Sequence, residues 1–222
     1  MCIRYQISGD HLVDWSEQLG EWSVEENLKT EADTFPGYEA PILTPGGKSA
    51  ESQIRMAKWG LVPFWTKDSK FGIKNAYNAR NDSLGPTPKD TKQTWREPFF
   101  KRRCIVPATA FFERTEIGTP AARWMRFSDP RHGLLAVAGL FEEPNELTAG
   151  RPTFAMVTTE PTEVVETIHD RMPVVLSIED AKRWLDPATE PSDLLKMLQP
   201  CPSDWLQLEP ELTLKEHREM TK

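Results

Sequence analysis

Cysteine, histidine and long apolar runs are scarce in this sequence, and each shortage excludes a class of protein. The 222 residues include three cysteines (Cys2, Cys104 and Cys201), four histidines and no CxxC pair. An odd cysteine count without paired spacing excludes a disulfide framework and a zinc site, and it indicates reduced thiols. No apolar run reaches the roughly eighteen residues of a membrane span, and the first residues lack the pattern of a signal peptide. We therefore expect a cytoplasmic protein with no membrane partner.

Positive charge is also in short supply, because 34 acidic residues outnumber 27 basic ones and give a net charge of −7. This balance argues against broad, non-specific binding to duplex nucleic acid, which needs a basic surface. It does not exclude a local basic cleft, and two basic clusters are present. The first consists of Lys67, Lys70, Lys74 and Arg80, and the second of residues 101–103. Either cluster could be a solvated face or a cationic groove.

Hydrophobic periodicity and turn residues predict one α+β domain over residues 2–208, with a charged, mobile tail over 209–222. Strands are expected at 3–7, 53–59, 104–106, 109–114, 122–128, 134–141, 153–159 and 172–176, in antiparallel meanders. Helices are expected within 11–34 and at 95–103, 161–168, 177–185 and 192–198. The prolines and glycines of 35–47 predict a loop, as does the polar composition of 81–94.

An aromatic turn, Trp59-Gly60-Leu61-Val62-Pro63-Phe64-Trp65, follows the strand predicted at 53–59. Such clusters usually pack in a core, where each indole N–H bonds to a neighbour. Two tryptophans around a glycine-proline turn could also form a stacking platform for unpaired bases. Both interpretations stay open from the sequence.

The first four residues, Met1-Cys2-Ile3-Arg4, are the most distinctive stretch. Cysteine is small enough for the preceding methionine to be trimmed, which would leave Cys2 with a free α-amine beside its thiol. Both groups become nucleophilic near neutral pH, since their ordinary pKa values are about 7.7–8 and about 8.5. Such a pair captures an aldehyde as a Schiff base, and the sulfur then closes a thiazolidine ring. The alternative is that Cys2 only begins a first strand.

Three further positions could carry chemistry, although each has an ordinary structural explanation. Asn78 lies in a polar loop in Asn78-Ala79-Arg80, Glu113 ends an apolar strand, and His169 lies between a helix and a buried strand. A buried glutamate would have a raised pKa and could transfer protons. The ordinary explanations are a turn for Asn78, a solvent-facing side chain for Glu113 and a helix cap for His169.

Taken in order, these motifs resemble the SRAP (SOS-response-associated peptidase) family of abasic-site processing proteins. The resemblance extends from Cys2 to about residue 208. The matching blocks are Cys2, the aromatic turn, Asn78-Ala79-Arg80, residues 102–108, Phe111-Phe112-Glu113, residues 138–141 and Ile168-His169-Asp170-Arg171-Met172-Pro173. Four departures from the family pattern are present. Ile3 replaces the usual glycine, and Arg114 replaces the usual tryptophan. Asn81 separates Asn78-Ala79-Arg80 from the acidic Asp82, and the loop at 36–41 only loosely resembles the family's version.

This resemblance implies a single SRAP domain with a central, barrel-like antiparallel sheet flanked by helices. It implies a monomeric abasic-site sensor that crosslinks to single-stranded DNA through a thiazolidine on Cys2, needs no metal or cofactor, and joins the nucleoid when bound to DNA. The implied catalytic residues are Cys2, Asn78, Glu113 and His169. The implied DNA contacts are Arg4, Trp65, Arg80 and Arg171.

Two other functions remain possible on the same residues. One is a cysteine peptidase, in which Cys2 and His169 remove the leader of the chain itself. The other is a module that binds single-stranded DNA without catalysis.

Overall fold

The computed structural model describes residues 2–7, 12–26, 28, 33–46, 51–115, 122–131 and 133–211. These residues form a closed five-stranded barrel, a separate four-stranded sheet and several short helices. The α+β class predicted from the sequence is therefore confirmed. No helix among the residues described above is long and apolar enough to cross a bilayer.

The strands are short, and most of them pair with strands distant in sequence. They are β1 (Tyr5–Gln6), β2 (Ser23–Val24), β3 (Glu39–Thr44), β4 (Gln53–Trp59), β5 (Asn78–Arg80), β6 (Arg103–Ala108), β7 (Ala110–Arg114), β8 (Trp124–Ser128), β9 (Leu135–Glu142), β10 (Thr153–Thr159), β11 (Met172–Pro173), β12 (Val175–Leu176) and β13 (Gln207–Pro210). The α-helices are α1 (Leu12–Ser16), α2 (Phe71–Asn75), α3 (Gln93–Lys101), α4 (Glu163–Glu166), α5 (Ile178–Leu185) and α6 (Pro191–Lys196). Single 3₁₀ turns cover Glu17–Leu19, Asn81–Ser83 and Ser203–Trp205.

Strand β10 closes the barrel. The barrel order is β10-β4-β3-β6-β9, and β9 pairs in turn with β10. Most neighbours are antiparallel, but β10 runs parallel to β4 and β5. A parallel pair needs a long connection, which the many residues between these strands supply. Because β10 also pairs with β11, it holds the segments around residues 78–80 and 172–173 on its two edges.

The barrel core is apolar on both sides of its central strands. Every residue of β6, β9 and β10 is buried, as expected for strands covered on both faces. Helix α5 covers one side and begins with Ser177, whose hydroxyl accepts a hydrogen bond from the Asp180 N–H at 3.0 Å. The buried Trp184 of this helix donates its indole N–H to the Cys104 carbonyl at 3.0 Å. Ser177 is therefore the N-cap of the helix that the sequence predicts at 177–185.

The four-stranded sheet has the order β1-β7-β8-β13, so its edges are the first and the last strands of the described chain. Strand β13 crosses the domain boundary predicted at residue 208. Residues 212–222, which make up most of the predicted tail, lie outside the described residues.

Several sequence predictions of local structure were wrong. Asn78-Ala79-Arg80, expected in a polar loop, forms strand β5 and pairs with β10. Residues 39–44 of the predicted loop at 35–47 form strand β3, which pairs with β4 along its whole length. Pro41 is tolerated because β3 meets its other neighbour, β6, only at Leu43. The single helix expected within 11–34 is instead a short helix, a 3₁₀ turn and strand β2. Five-residue α1 is shorter than an isolated helix can sustain, so packing must stabilise it.

Gly60 and Gly72 hold the aromatic turn against helix α2. Gly60 has a φ of 124°, in the left-handed region, and a Cβ on Gly72 would lie 2.0 Å from the Gly60 carbonyl oxygen. Since that oxygen belongs to the backbone, it cannot move aside as a side chain would. We expect Gly72→Ala to lower the free energy of unfolding by about 3 kcal/mol, measured by urea titration. An unchanged free energy of unfolding in Gly72→Ala would contradict the close-packing argument.

Candidate active site

Cys2 lies beside strand β7. Strand β1 pairs with β7 through Tyr5 and Phe111, and the Phe112 N–H donates to the Arg4 carbonyl at 3.0 Å. Since β1 and β7 are antiparallel, the residues before Tyr5 lie alongside the end of β7 that carries Glu113. The Cys2 thiol is fully buried and donates to the same Arg4 carbonyl at 3.4 Å. Burial raises the pKa of this thiol well above its ordinary value, and the nearby Glu113 charge raises it further.

Asn78 contacts Cys2 through its side-chain amide. Strand β5 pairs with β10 at Asn78 and Met156, which fixes the position of the amide. Its Nδ2 donates to the Cys2 carbonyl at 2.7 Å. Its Oδ1 is buried and has no hydrogen-bond partner among the described residues. A buried acceptor without a partner is costly, so a ligand hydroxyl or amine would satisfy it.

Glu113 and His169 form the third part of the site. Glu113 lies near the end of β7 with only 3% of its surface exposed. Its Oε2 lies 3.8 Å from His169 Nε2. Burial raises the pKa of Glu113 to about 7. Its Oε1 has no hydrogen-bond partner within the described part of the chain. A carboxyl with this pKa exists in both forms near neutral pH and can both donate and accept a proton.

His169 is oriented by the turn between α4 and β11. The Arg171 N–H donates to His169 Nδ1 at 3.0 Å, which requires that nitrogen to be unprotonated. The neutral ring then carries its proton on Nε2, the nitrogen nearer Glu113. Asp170 Oδ1 also lies 3.0 Å from Nδ1, but it can accept a hydrogen bond there only when Nδ1 carries a proton. Burial lowers the pKa of His169, which favours the neutral form.

The structure thus brings the four predicted catalytic residues, Cys2, Asn78, Glu113 and His169, into one site. They come from four separate segments, and β7 and β10 provide the frame. The described residues contain no cluster of three or more His, Cys, Asp or Glu side chains arranged to hold a metal ion.

Two of the predicted DNA contacts have surroundings that do not suit that role. Arg4 is buried and donates to Asp33 at 2.8 Å and to both carboxylate oxygens of Glu211 at 2.6 and 2.7 Å. Arg171 is also buried, and it donates to the Thr158 carbonyl at 2.6 Å and to Asn81 Oδ1 at 2.9 Å. Both guanidinium groups donate to several protein acceptors, which indicates a structural role, although the buried Arg171 Nε has no hydrogen-bond partner among the described residues.

The other two predicted DNA contacts are on the surface. The Arg80 side chain is half exposed and pairs with Asp82 at 2.6 Å. Trp65 is 39% exposed and packs edge-on against Phe71, with a ring-centre distance of 5.3 Å. Phe64, which the sequence analysis did not single out, is 70% exposed. Trp59 is fully buried, so the core interpretation was right for it and a platform of both tryptophans was wrong.

The basic clusters also differ from each other. In the first, the Lys74 side chain is exposed and lies 3.2 Å from Asp68, while Lys67 and Lys70 are exposed beside Trp65 in sequence. In the second, Arg103 is buried and donates to backbone carbonyls of Phe99 and Trp184 at 2.9 and 2.7 Å. Only the first cluster is a uniformly exposed basic surface.

The side chains of Ile3 and Arg114, two of the residues that depart from the family pattern, lie outside the hydrogen bonds that the described part of the chain gives to the four site residues. Ile3 is 39% exposed, so its bulk is not packed into the core. The Arg114 guanidinium lies over the Trp124 ring, 5.5 Å from its centre, across the β7–β8 pair. Neither side chain makes a hydrogen bond to the four site residues within the described chain.

Comparison with known proteins identifies the family. The family model described as SOS response associated peptidase (SRAP) matches residues 1–212. The chain belongs to the SRAP family. It is 35% identical over 211 residues to the abasic site processing protein YoqW of Bacillus subtilis (strain 168), covering 92% of this chain and 89% of that protein.

More distant relatives and solved structures are similar over most of the chain. The abasic site processing protein HMCES of Gallus gallus is 28% identical over 214 residues, covering 82% of this chain and 62% of that protein. Among solved structures, a Bacteroides thetaiotaomicron protein matches with a TM-score of 0.80 at 22% identity, over 96% of this chain and 93% of the other. A Bordetella bronchiseptica protein matches with a TM-score of 0.77 at 23% identity, over 96% and 100% of the two chains. These structures support the fold of the SRAP domain.

Proposed function

We propose that this SRAP protein captures abasic sites in single-stranded DNA by a covalent bond to Cys2. The observation that carries the proposal is the convergence of Asn78 and Glu113 on Cys2, with a buried, unpartnered oxygen on each of the two side chains. These oxygens suit the hydroxyl groups of a ring-opened deoxyribose. The names of the similar proteins, abasic site processing proteins, support the same substrate.

The proposed reaction has two bond-forming steps. Once Met1 has been removed, the Cys2 amine adds to the C1′ aldehyde of the opened sugar, and loss of one water gives an imine. The Cys2 thiol then adds across the C=N bond. A C–S bond forms, the nitrogen gains a proton, and the product is a thiazolidine. Atoms balance without an oxidant, reductant or cofactor.

Glu113 and His169 would move the protons in both steps. Because the pKa of Glu113 is raised to about 7, its acid form can protonate the departing hydroxyl and its base form can accept the thiol proton. That second transfer is needed because burial keeps the Cys2 thiol protonated at neutral pH. Neutral His169, with its proton on Nε2, can relay a proton to Glu113 across their 3.8 Å separation after a small movement.

The first test uses the wild-type protein and a single-stranded oligonucleotide with one abasic site. We expect a heat-stable adduct whose mass is the sum of the Met1-free protein and the DNA minus one water. An intact aldehyde is required, so an oligonucleotide with tetrahydrofuran, an abasic analogue without an aldehyde, serves as the control and should give none. Absence of the adduct from Met1-free protein would refute the proposal.

Trp65 and Phe64 are proposed to stack on unpaired bases beside the abasic site, with Lys67, Lys70 and Lys74 near the phosphates. Stacking of a base on an aromatic ring contributes about 1–3 kcal/mol. We therefore expect Trp65→Ala to weaken binding of tetrahydrofuran-containing single-stranded DNA about tenfold, measured by fluorescence anisotropy. Phe64→Ala tests the second ring. If neither substitution changes affinity, the bases lie elsewhere.

A cysteine peptidase is the weaker candidate. Such an enzyme needs a thiolate, usually formed by an adjacent positively charged histidine. In this site, burial and Glu113 both raise the pKa of the Cys2 thiol, and burial lowers the pKa of His169. Both shifts oppose the thiolate–imidazolium pair.

A DNA-binding module without catalysis is also a weaker candidate, because it does not account for the unpartnered oxygens of Asn78 and Glu113.

A further inference from the structure

Arg4 connects the segment that carries Cys2 with the residue that follows β13. Its Nη1 and Nη2 donate to the two carboxylate oxygens of Glu211 at 2.6 and 2.7 Å, and its Nε donates to Asp33 at 2.8 Å. The Arg4 side chain is 7% exposed, and the Glu211 side chain 33%. A bidentate pair with one partner buried has a more fixed geometry than a surface ion pair.

Both members of this pair are held in place by other contacts. The Arg4 guanidinium lies over the Phe112 ring, 4.2 Å from its centre, and 5.3 Å from the centre of the Trp124 ring. The Glu211 N–H donates to the Trp124 carbonyl at 2.9 Å, which extends the β8–β13 pairing by one residue. Glu211 therefore approaches Arg4 from a defined backbone position.

The backbone of Arg4 is a direct neighbour of the reacting group. Its carbonyl oxygen accepts hydrogen bonds from the Phe112 N–H at 3.0 Å and from the Cys2 thiol at 3.4 Å. A rotation of the Arg4 backbone would move this oxygen and change the direction of the Cys2 side chain. The position of the guanidinium and the position of the thiol are thus linked through one residue.

We propose that Glu211 is a positioning residue for Cys2, acting through the bidentate ion pair with Arg4. This inference rests on the proposed function and names a residue that none of the matched motifs contains. Replacing the Glu211 carboxylate by an amide sets an NH2 group against a guanidinium N–H. The Arg4 side chain must then turn toward water or pair with Asp33 alone. Because a displacement of about 1 Å can slow a reaction substantially, the effect should appear in the bond-forming step.

The test compares Glu211→Gln with Glu209→Gln. Glu209 is a matched control two residues earlier, in β13, since it pairs with Arg126 of the partner strand β8 at 3.4 Å. For Glu211→Gln we expect the crosslinking rate at saturating abasic DNA to fall about tenfold, with the affinity for tetrahydrofuran DNA unchanged. Glu209→Gln should keep both. Glu211→Asp, which retains two acceptor oxygens, should recover much of the rate. A merely structural role for Glu211 would not separate rate from affinity.

A second measurement needs no DNA. The proteins are treated with iodoacetamide, and modification of each cysteine is measured by peptide mass spectrometry. We expect Cys2 to react several times faster in Glu211→Gln than in the wild type, while fully buried Cys104 stays protected as an internal reference. If Cys104 also became reactive, the fold would have opened, and Arg4→Lys, which cannot form the bidentate pair, would decide by the same rate and affinity measurements.

Three results would overturn the inference: an unchanged crosslinking rate in Glu211→Gln, a parallel loss of DNA affinity, or unchanged alkylation of Cys2. A normal crosslinking rate in Arg4→Lys would also overturn it. If the wild type formed no adduct, the proposed function would fail, while the alkylation of Cys2 would still judge the link between Glu211 and the thiol.

Discussion

Cys2→Ala is expected to abolish the heat-stable adduct with abasic single-stranded DNA, with a loss of at least ~100-fold in yield, because intramolecular ring closure by the thiol makes the bond persistent. Alanine is also small enough for the preceding methionine to be removed, so the variant keeps an α-amine. It can still form an imine, which water hydrolyses. Denaturing gel electrophoresis after heating measures the stable product.

Borohydride separates the contributions of the two nucleophiles. Added during the reaction, it should reduce the imine of Cys2→Ala to a stable amine and restore an adduct, whereas the wild type needs no reductant. Cys201→Ala is the matched control, because it removes another buried thiol, from a segment that none of the matched motifs contains. An unaltered yield of heat-stable adduct in Cys2→Ala, without reductant, would refute the assignment of the nucleophile.

Glu113→Gln is expected to slow crosslinking about 100-fold, the usual size of a general acid–base contribution. The amide keeps the shape of the carboxyl but cannot exchange a proton. The measurement is the single-turnover rate of adduct formation between pH 5 and 9. In the wild type, the rate should change around pH 7, where the pKa of Glu113 lies, and this change should be absent in the variant.

Glu113→Gln, which should slow crosslinking, should stabilise the folded protein at high pH. The pKa of Glu113 is raised from 4.5 to about 7, so the folded state holds this proton more tightly than the unfolded state. The resulting stabilisation is complete below about pH 4.5 and is lost as pH rises through 7. At pH 8 we therefore expect Glu113→Gln to be more stable than the wild type, by up to ~3 kcal/mol. A gain at pH 8 that disappears at pH 4 is the specific result.

Glu142 provides the control for the crosslinking rate. It is also buried, and burial raises its pKa as it does for Glu113, but its carboxylate pairs with the Arg102 guanidinium at 3.0 Å. Glu142→Gln likewise removes a buried carboxylate, and it should leave the crosslinking rate unchanged. If both variants changed the rate equally, the effect of Glu113→Gln would have to be attributed to the fold.

The parts of the fold that local patterns determine could be predicted from the sequence. The alternation of residues 53–59 gave strand β4 with the bounds the structure has, and Ser177 marked the start of α5. Strand β3 could not be predicted, because the prolines and glycines of residues 35–47 indicate a loop and only pairing with β4 makes residues 39–44 a strand. The parallel pairing of β10 is likewise a long-range property.

The candidate site shows the same division. Cys2, Asn78, Glu113 and His169 were found through motifs, since each alone had an ordinary explanation and their proximity depends on β7 and β10. Arg4 was expected on a DNA-binding surface because the sequence shows its charge but not its partners. Its burial could not be inferred while Asp33 and Glu211 were unconnected positions.

The placement of β1 and β13 at opposite edges of one sheet has a consequence for biosynthesis. A ribosome makes residue 2 well before residue 211, at about 5–20 residues per second. Until residue 211 emerges, the nascent chain lacks both the β13 edge and one of the two carboxylates that pair with Arg4, the other being Asp33. Removing one partner of a buried ion pair is destabilising, so a polypeptide terminated before residue 207 should have a less ordered reactive end. Synthesis of β13 thereby becomes a condition for an ordered N-terminus.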